Sequence, residues 1–203
     1  MTKLTTSVLM TLASCVSVFV SVGSVCAQSG DLFVSGGPVH VSNAGLGSLS
    51  SSGKKDDFKL DDGFRIGFRF GLNGEGRMGH EFGYGYNRTH LISNSIDQGG
   101  MAIHQGGYNF LLFANRDGSK IRPFATGGGH FNNYVPPGSS ASNGGGSTKF
   151  GFNYGGGVKV NVGPKFAVRF DVRQYQTGKP FDLLLKSGLF RQLEISGGFG
   201  IHF

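Results

Sequence analysis

The sequence contains no tryptophan and only two cysteines and six prolines in 203 residues. Both cysteines, Cys15 and Cys26, lie in a leading segment that reads as a removable leader. Without that segment the chain has no disulfide, thiolate nucleophile or cysteine metal site. A small secreted scaffold stapled by disulfides is thereby excluded. Long apolar runs are also missing. Nothing after residue 30 approaches the roughly 18–20 apolar residues of a membrane-spanning helix. Glycine and phenylalanine, by contrast, are abundant, at 37 and 19 residues. Glycine does not recur every third residue, so the excess is not collagen. With 38% hydrophobic and 12% aromatic residues, the chain is too apolar for a solvated coil. Its length suits one domain.

Lys3 is the only charge in the first 30 residues. From Leu4 to Val25 the chain is mainly Val, Leu, Ser, Thr and Ala, ending in Val25-Cys26-Ala27. That small-x-small pattern places a signal-peptidase cut after Ala27, so the mature chain begins at Gln28. It then has 203 − 27 = 176 residues and a charge of (19 − 1) − 12 = +6. Two alternatives are a retained anchor and a lipoprotein signal at Leu12-Ala13-Ser14-Cys15. The segment is short and rich in Ser and Thr for an anchor. Its apolar run continues past Cys15, which suits a later cut.

The remainder alternates with period two. Phe150, Phe152, Tyr154, Val158, Val160 and Val162 share one face, against Gly151, Asn153, Gly155, Gly157, Lys159 and Asn161. Such alternation specifies a strand with one apolar face. Residues 165–175 repeat it, with Phe166, Val168, Phe170 and Val172 opposite Arg169, Asp171 and Arg173. Phe64, Ile66, Phe68, Phe70 and Leu72 oppose Arg65 and Arg69; Leu193, Ile195, Phe199, Ile201 and Phe203 oppose Glu194. Residues 75–86 set Met78, His80, Phe82, Tyr84 and Tyr86 against Arg77 and Glu81. That segment is less clean, as are those in 31–41, 100–114, where Leu111 and Phe113 blur the pattern, and 121–132, which contains Pro123. The total is about eight strands. Short turns are expected near 73–74, 115–120 and 163–164, and long connections over 42–62, 87–99, 133–148 and 177–192. Residues 181–186 are the one stretch with a hint of helical period.

Alternation alone does not separate a soluble barrel with an apolar inside from a membrane barrel with an apolar outside. Three features favour the membrane. The polar face combines glycine with Arg65, Arg69, Arg77, Glu81, Lys159, Arg169, Asp171, Arg173 and Glu194, as a narrow lumen with internal ion pairs requires. The apolar face is bulky. The sequence closes on the alternation Phe199-x-Ile201-x-Phe203.

With its leader, strands about 20 residues apart and that closing strand, the sequence resembles the small outer-membrane β-barrels of the outer-membrane-protein-A-like and -X-like kind. The resemblance spans the mature chain, 28–203. It implies an eight-stranded antiparallel up-and-down barrel, with the long connections outside the cell. It also implies that Phe203 is part of a C-terminal signal read by the outer-membrane insertion machinery. Without Trp, the aromatic girdle must use Phe and Tyr; Tyr84, Tyr86, Tyr134 and Tyr175 are placed for it. No peptidoglycan-anchoring domain is expected after Phe203.

Chemical motifs are few. Gly74-x-Gly76-x-x-Gly79 matches a dinucleotide fingerprint, but a strand follows where a helix N-terminus is needed. Gly144–Lys149 lacks the residue order of a phosphate loop. The histidines (His40, His80, His90, His104, His130 and His202) never pair at ligand spacing, and exposed interfacial positions are expected for them. His40-Val41-Ser42 is a His-x-Ser pair of the kind some lipid-A acyl hydrolases use with a carboxylate, but no acid can be assigned from sequence. The basic residues are spread along strands rather than forming a stripe with aromatics, so nucleic acid is not an expected partner.

The expected function is therefore non-enzymatic: a structural or surface-interaction role through the outer loops, without cofactor or metal. Its partners would be outer-membrane lipid and lipopolysaccharide, the insertion machinery and an unidentified surface ligand, with the protein a monomer. A small channel and a lipid-A-modifying enzyme are the alternatives.

Overall fold

A computed structural model describes residues 29–141 and 146–203; the expected leader and the expected cut between Ala27 and Gln28 lie outside them. Among the described residues there are ten strands: β1 (Ser29–Ser42), β2 (Gly45–Gly47), β3 (Phe58–Leu60), β4 (Gly63–Asn73), β5 (Met78–Ser93), β6 (Ile96–Phe113), β7 (Ile121–Val135), β8 (Ser147–Asn161), β9 (Phe166–Thr177) and β10 (Phe190–His202). All pairings are antiparallel. Each wall strand joins its successor, and β1 pairs with both β4 and β10, so β1 and β4–β10 close an eight-stranded up-and-down barrel. Closure leaves no free wall edge, the condition for a sheet to cross lipid.

The faces follow from parity. Phe64, Ile66, Phe68 and Phe70 of β4, Phe166 and Phe170 of β9, and Ile195, Phe199 and Ile201 of β10 point outward and are exposed. Arg65, Arg69, Glu81, Lys159, Arg169, Asp171, Arg173 and Glu194 point inward and are buried. Glycine permits the tight curvature of the concave face. A Cβ on Gly128 would lie 2.0 Å from the Tyr108 carbonyl oxygen of the next strand. That approach excludes any side chain there.

One end carries three short connections, 74–77, 114–120 and 162–165, together with both described chain ends. Phe203 is held to Gly30 by backbone bonds in both directions, of 2.6 and 2.9 Å, and its ring covers Gly30. The other end carries the longer connections 43–62, 136–146 and 178–189. Two expectations fail here. Residues 87–99 are not a loop: β5 and β6 continue outward as a hairpin closed by Asn94 and Ser95, both at positive φ (49° and 66°). Two successive positive-φ residues suit the twist of a two-residue hairpin turn. Its sequence reads as a loop because the buried inward positions Asn87 and Thr89 are polar and break the alternation. Residues 181–186 form no helix; Leu184 instead bridges to Ser48.

Candidate functional site

The lumen is filled in three layers. At the long-loop end is an apolar cluster of Val41, Leu46, Leu60, Met101, Ile103, Tyr134 and Phe190. The short strands β2 and β3 contribute Leu46 and Leu60, so the first connection folds over the barrel mouth instead of standing away from it. The last connection lies against it. Ser48 and Leu184 exchange backbone hydrogen bonds of 2.8 Å each, and Phe181 and Leu183 pack on the cluster. The Lys179 ammonium donates to the Gly45 carbonyl. Burial pushes its pKa down, with Asp56 pulling in the opposite direction. Ser48 Oγ and the Lys54 N–H donate to Asp57 at 2.6 and 2.9 Å, holding its carboxyl below the ordinary range.

The middle layer is charged. Glu194 binds Arg65 and Arg69, each at 2.7 Å. Asp171 binds Arg69 at 2.8 Å and Arg169 and Arg173 at 2.9 Å each. Glu81 binds Arg169 at 2.6 Å and Arg173 at 2.8 Å. The network thus links β4, β5, β9 and β10 across the lumen. Arg173 stands opposite Glu194 in the β9–β10 register, yet the carboxylate is paired with the two β4 arginines. A chamber of about 30 Å³ lies beside Arg65, Glu81, Asn153 and Tyr175, room for a water or two.

The third layer closes the short-turn end. Buried Asp31 receives Lys159 at 2.6 Å, His202 at 2.8 Å and Asn73 at 2.7 Å. Lys159 belongs to this group, apart from the arginine network. Arg122 binds Asp117 at 2.6 Å and stacks 3.8 Å above Phe113. Leu111, Phe113 and Phe124 form an inward apolar cluster. Leu111 and Phe113 are the residues that blur the alternation of the β6 sequence: they face the lumen, not lipid.

Several sequence expectations require correction. Arg77 is not in the lumen. It lies exposed in the 74–77 turn, because β4 ends at Asn73 and the parity of β5 does not reach it. Tyr134 and Tyr175 are not girdle residues. Both are buried inside, Tyr134 accepting from Asn132 at 3.0 Å and Tyr175 lying 4.6 Å under the Arg65 guanidinium. Tyr84 and Tyr86 do face outward, Tyr84 pairing with His104 at 2.7 Å. His130 is also inside, 2.8 Å from Thr177 Oγ1. Gly74 and Gly76 lie in a turn and Gly79 in β5, with no helix behind them. The sequence reading missed the apolar cap altogether. Its signal was the spacing of Leu46, Phe58 and Leu60 inside an otherwise polar connection.

The model of the outer membrane protein β-barrel domain matches residues 15–203. The chain belongs to this family. As an outer-membrane β-barrel protein it resides in the bacterial outer membrane, crossing it with strands. No curated protein matches its sequence. Among solved structures, it resembles Neisserial surface protein A at 17% identity over 86% of this chain and 97% of that one, with a TM-score of 0.59. OprG of Pseudomonas aeruginosa is 12% identical over 86% and 96% of the two chains, with a TM-score of 0.58. The N-terminal barrel domain of Pseudomonas aeruginosa OprF is 14% identical over 86% and 97%, at 0.50. At these identities the likeness is one of fold. The barrel relatives are membrane proteins, in agreement with the apolar outer wall of this chain.

Proposed function

We propose that this outer-membrane barrel is a sealed, monomeric surface protein whose long-loop end faces outside and acts as a contact platform. The carrying observation is the cap. The first and last connections are packed over the mouth on a shared apolar cluster, which gives the outer face a defined shape. Neither a mobile fringe nor a pore entrance would need that packing. Below it, charge-paired side chains fill the lumen, so transport through the barrel is disfavoured. The role of the platform is contact rather than catalysis. Its partners are the lipopolysaccharide layer and an external ligand. We further assign residues 1–27 as a leader cleaved between Ala27 and Gln28, and Phe203 as the terminal residue read during insertion.

The test replaces residues 48–57 and 180–187 by short turns and compares cells carrying intact and trimmed protein for binding to lipopolysaccharide, host matrix and phage. Loss of one binding activity at equal surface level is the expected result. Retention of every activity of the intact protein by the trimmed barrel would contradict the platform role.

A further inference from the structure

The charged layer of the lumen is not neutral. Arg65, Arg69, Arg169 and Arg173 face Glu81, Asp171 and Glu194, which leaves one positive charge in excess. All seven side chains are buried, and a charge held away from water without a counter-charge is costly. The excess falls on Arg65. Arg69, Arg169 and Arg173 each reach two carboxylates. Arg65 reaches only Glu194, which Arg69 also holds. Its second terminal nitrogen donates to the neutral Gln192 at 3.3 Å. Its Nε–H has no hydrogen-bond partner among the described residues.

That N–H stands at the chamber of about 30 Å³. A Cβ added to Gly85, which lines the chamber, would lie 3.7 Å from Arg65 Nε. Two more lining residues gather with Arg65 around Tyr175. The guanidinium lies 4.6 Å over its ring, His130 meets the ring edge-on at 5.2 Å, and Asn153 is its register partner on β8. Asn153 is 3% exposed, yet among the described residues neither polar atom of its amide has a partner, and nor has His130 Nδ1. Thr177 Oγ1 accepts from Asn132 at 3.2 Å and lies 2.8 Å from His130 Nε2. Its own proton therefore goes to Nε2, which puts the imidazole proton on Nδ1. Three donors then face the chamber: Arg65 Nε–H, His130 Nδ1–H and the Asn153 amide. Glu81 and Glu194 also line it, but each of their oxygens is already bound to an arginine. The amide oxygens of Asn109 and Asn153 complete the polar lining without partners of their own.

We propose that this chamber binds one small monovalent anion of the chloride class, held by Arg65, His130 and Asn153, which neutralises the excess charge of the arginine layer. Size and charge set the selectivity. Space for a water or two admits a halide with one water beside it, and that water serves the two amide oxygens. A sulfate, with five heavy atoms and two charges, is too large. A cation would meet an excess of positive charge and three N–H donors. The folded barrel binds the anion and the unfolded chain does not, so binding adds to the stability of the fold. The inference stands apart from the platform role, since the chamber lies in the charged layer below the cap.

The test is urea unfolding of the full-length folded barrel in phosphatidylcholine vesicles, followed by heat-modifiable gel mobility. Chloride is replaced stepwise by sulfate at constant ionic strength. Above the dissociation constant, the ratio of folded to unfolded protein should rise about tenfold for each tenfold rise in chloride. A general salt effect has the opposite sign, because sulfate is the more stabilising anion at protein surfaces. Arg65→Leu leaves three arginines against three carboxylates and should abolish the chloride dependence. Gly83→Val changes no charge. A Cβ at Gly83, which lines the chamber, would meet nothing closer than the Phe68 carbonyl oxygen at 3.8 Å, so the valine occupies the anion's space and should abolish the dependence too. Crystals of the unsubstituted barrel grown in bromide should show an anomalous peak within hydrogen-bonding reach of Arg65 Nε and Asn153. Stability that stays level or rises as sulfate replaces chloride would overturn the proposal, as would the absence of a bromide peak from the chamber. A chloride dependence of full size in folded Gly83→Val would place the anion elsewhere and overturn the site.

Discussion

Asp171 binds three arginines, more than either other carboxylate of the charged layer, and its replacement by Asn tests that layer most severely. It is 2% exposed and contacts Arg69, Arg169 and Arg173 at 2.8–2.9 Å. The network holds four arginines and three carboxylates, a net +1, and the substitution raises it to +2. Removing one side of a buried ion pair costs about 3–5 kcal/mol, because a desolvated charge is left uncompensated. Glu81 still holds Arg169 and Arg173, and Glu194 still holds Arg69, so we expect the lower part of that range. Removing Arg69 as well, as Arg69→Leu, returns the net charge to +1 and leaves each remaining arginine a carboxylate. The double variant should therefore recover stability relative to the sum of the single changes, with a coupling of about 1–3 kcal/mol. The assay is urea unfolding from lipid vesicles. Because the chain has no tryptophan, a Phe199→Trp background supplies a single lipid-facing reporter. An Asp171→Asn cost below about 1 kcal/mol, or strictly additive effects, would refute the reasoning.

Three further outcomes are expected. Phe170 faces lipid and is 59% exposed, so Phe170→Arg should cost about 2–4 kcal/mol in the same unfolding assay; a neutral effect would argue that the outer wall does not meet hydrocarbon. The depressed Asp57 carboxyl stabilises the first connection above its unfolded pKa, and that contribution is lost as pH falls through the folded value. Hydrogen exchange at the Lys54 amide should therefore stay protected at neutral pH, lose protection below the ordinary carboxylate range, and be unprotected at neutral pH in Asp57→Ala. Phe203→Ser removes the ring that covers Gly30 at the β1–β10 seam, and surface level and heat-modifiable mobility should both fall.

The barrel was legible because the constraint that shapes it is repeated in every strand. One face meets lipid and the other a crowded lumen, so parity alone separates Phe64, Ile66, Phe68 and Phe70 from Arg65 and Arg69. The failures occur where that constraint lapses. Beyond the apolar belt the inward positions of β5 near the mouth are polar, with Asn87 and Thr89 buried, so residues 87–99 carry no apolar–polar alternation. Toward the lumen ends, inward positions turn apolar or aromatic, as at Phe113, Tyr134 and Tyr175, and hydrophobicity no longer indicates side. Turns break the count altogether, as Arg77 shows. Partners across the lumen were illegible because they depend on barrel closure: Arg65 and Glu194 are 129 residues apart and meet only once β1 has paired with both β4 and β10. The same holds for His40 and Asp62, 22 residues apart and brought together by the approach to β4.

Single-channel recording from the purified, folded barrel in planar bilayers tests the sealed-barrel account most directly. The apolar cap, the arginine–carboxylate layer and the Asp31 group lie in series along one lumen. Protein shown to be inserted and heat-modifiable should therefore give a flat current trace in concentrated KCl at either polarity. Reproducible unitary steps that scale linearly with voltage would mean an open aqueous path and would contradict the account.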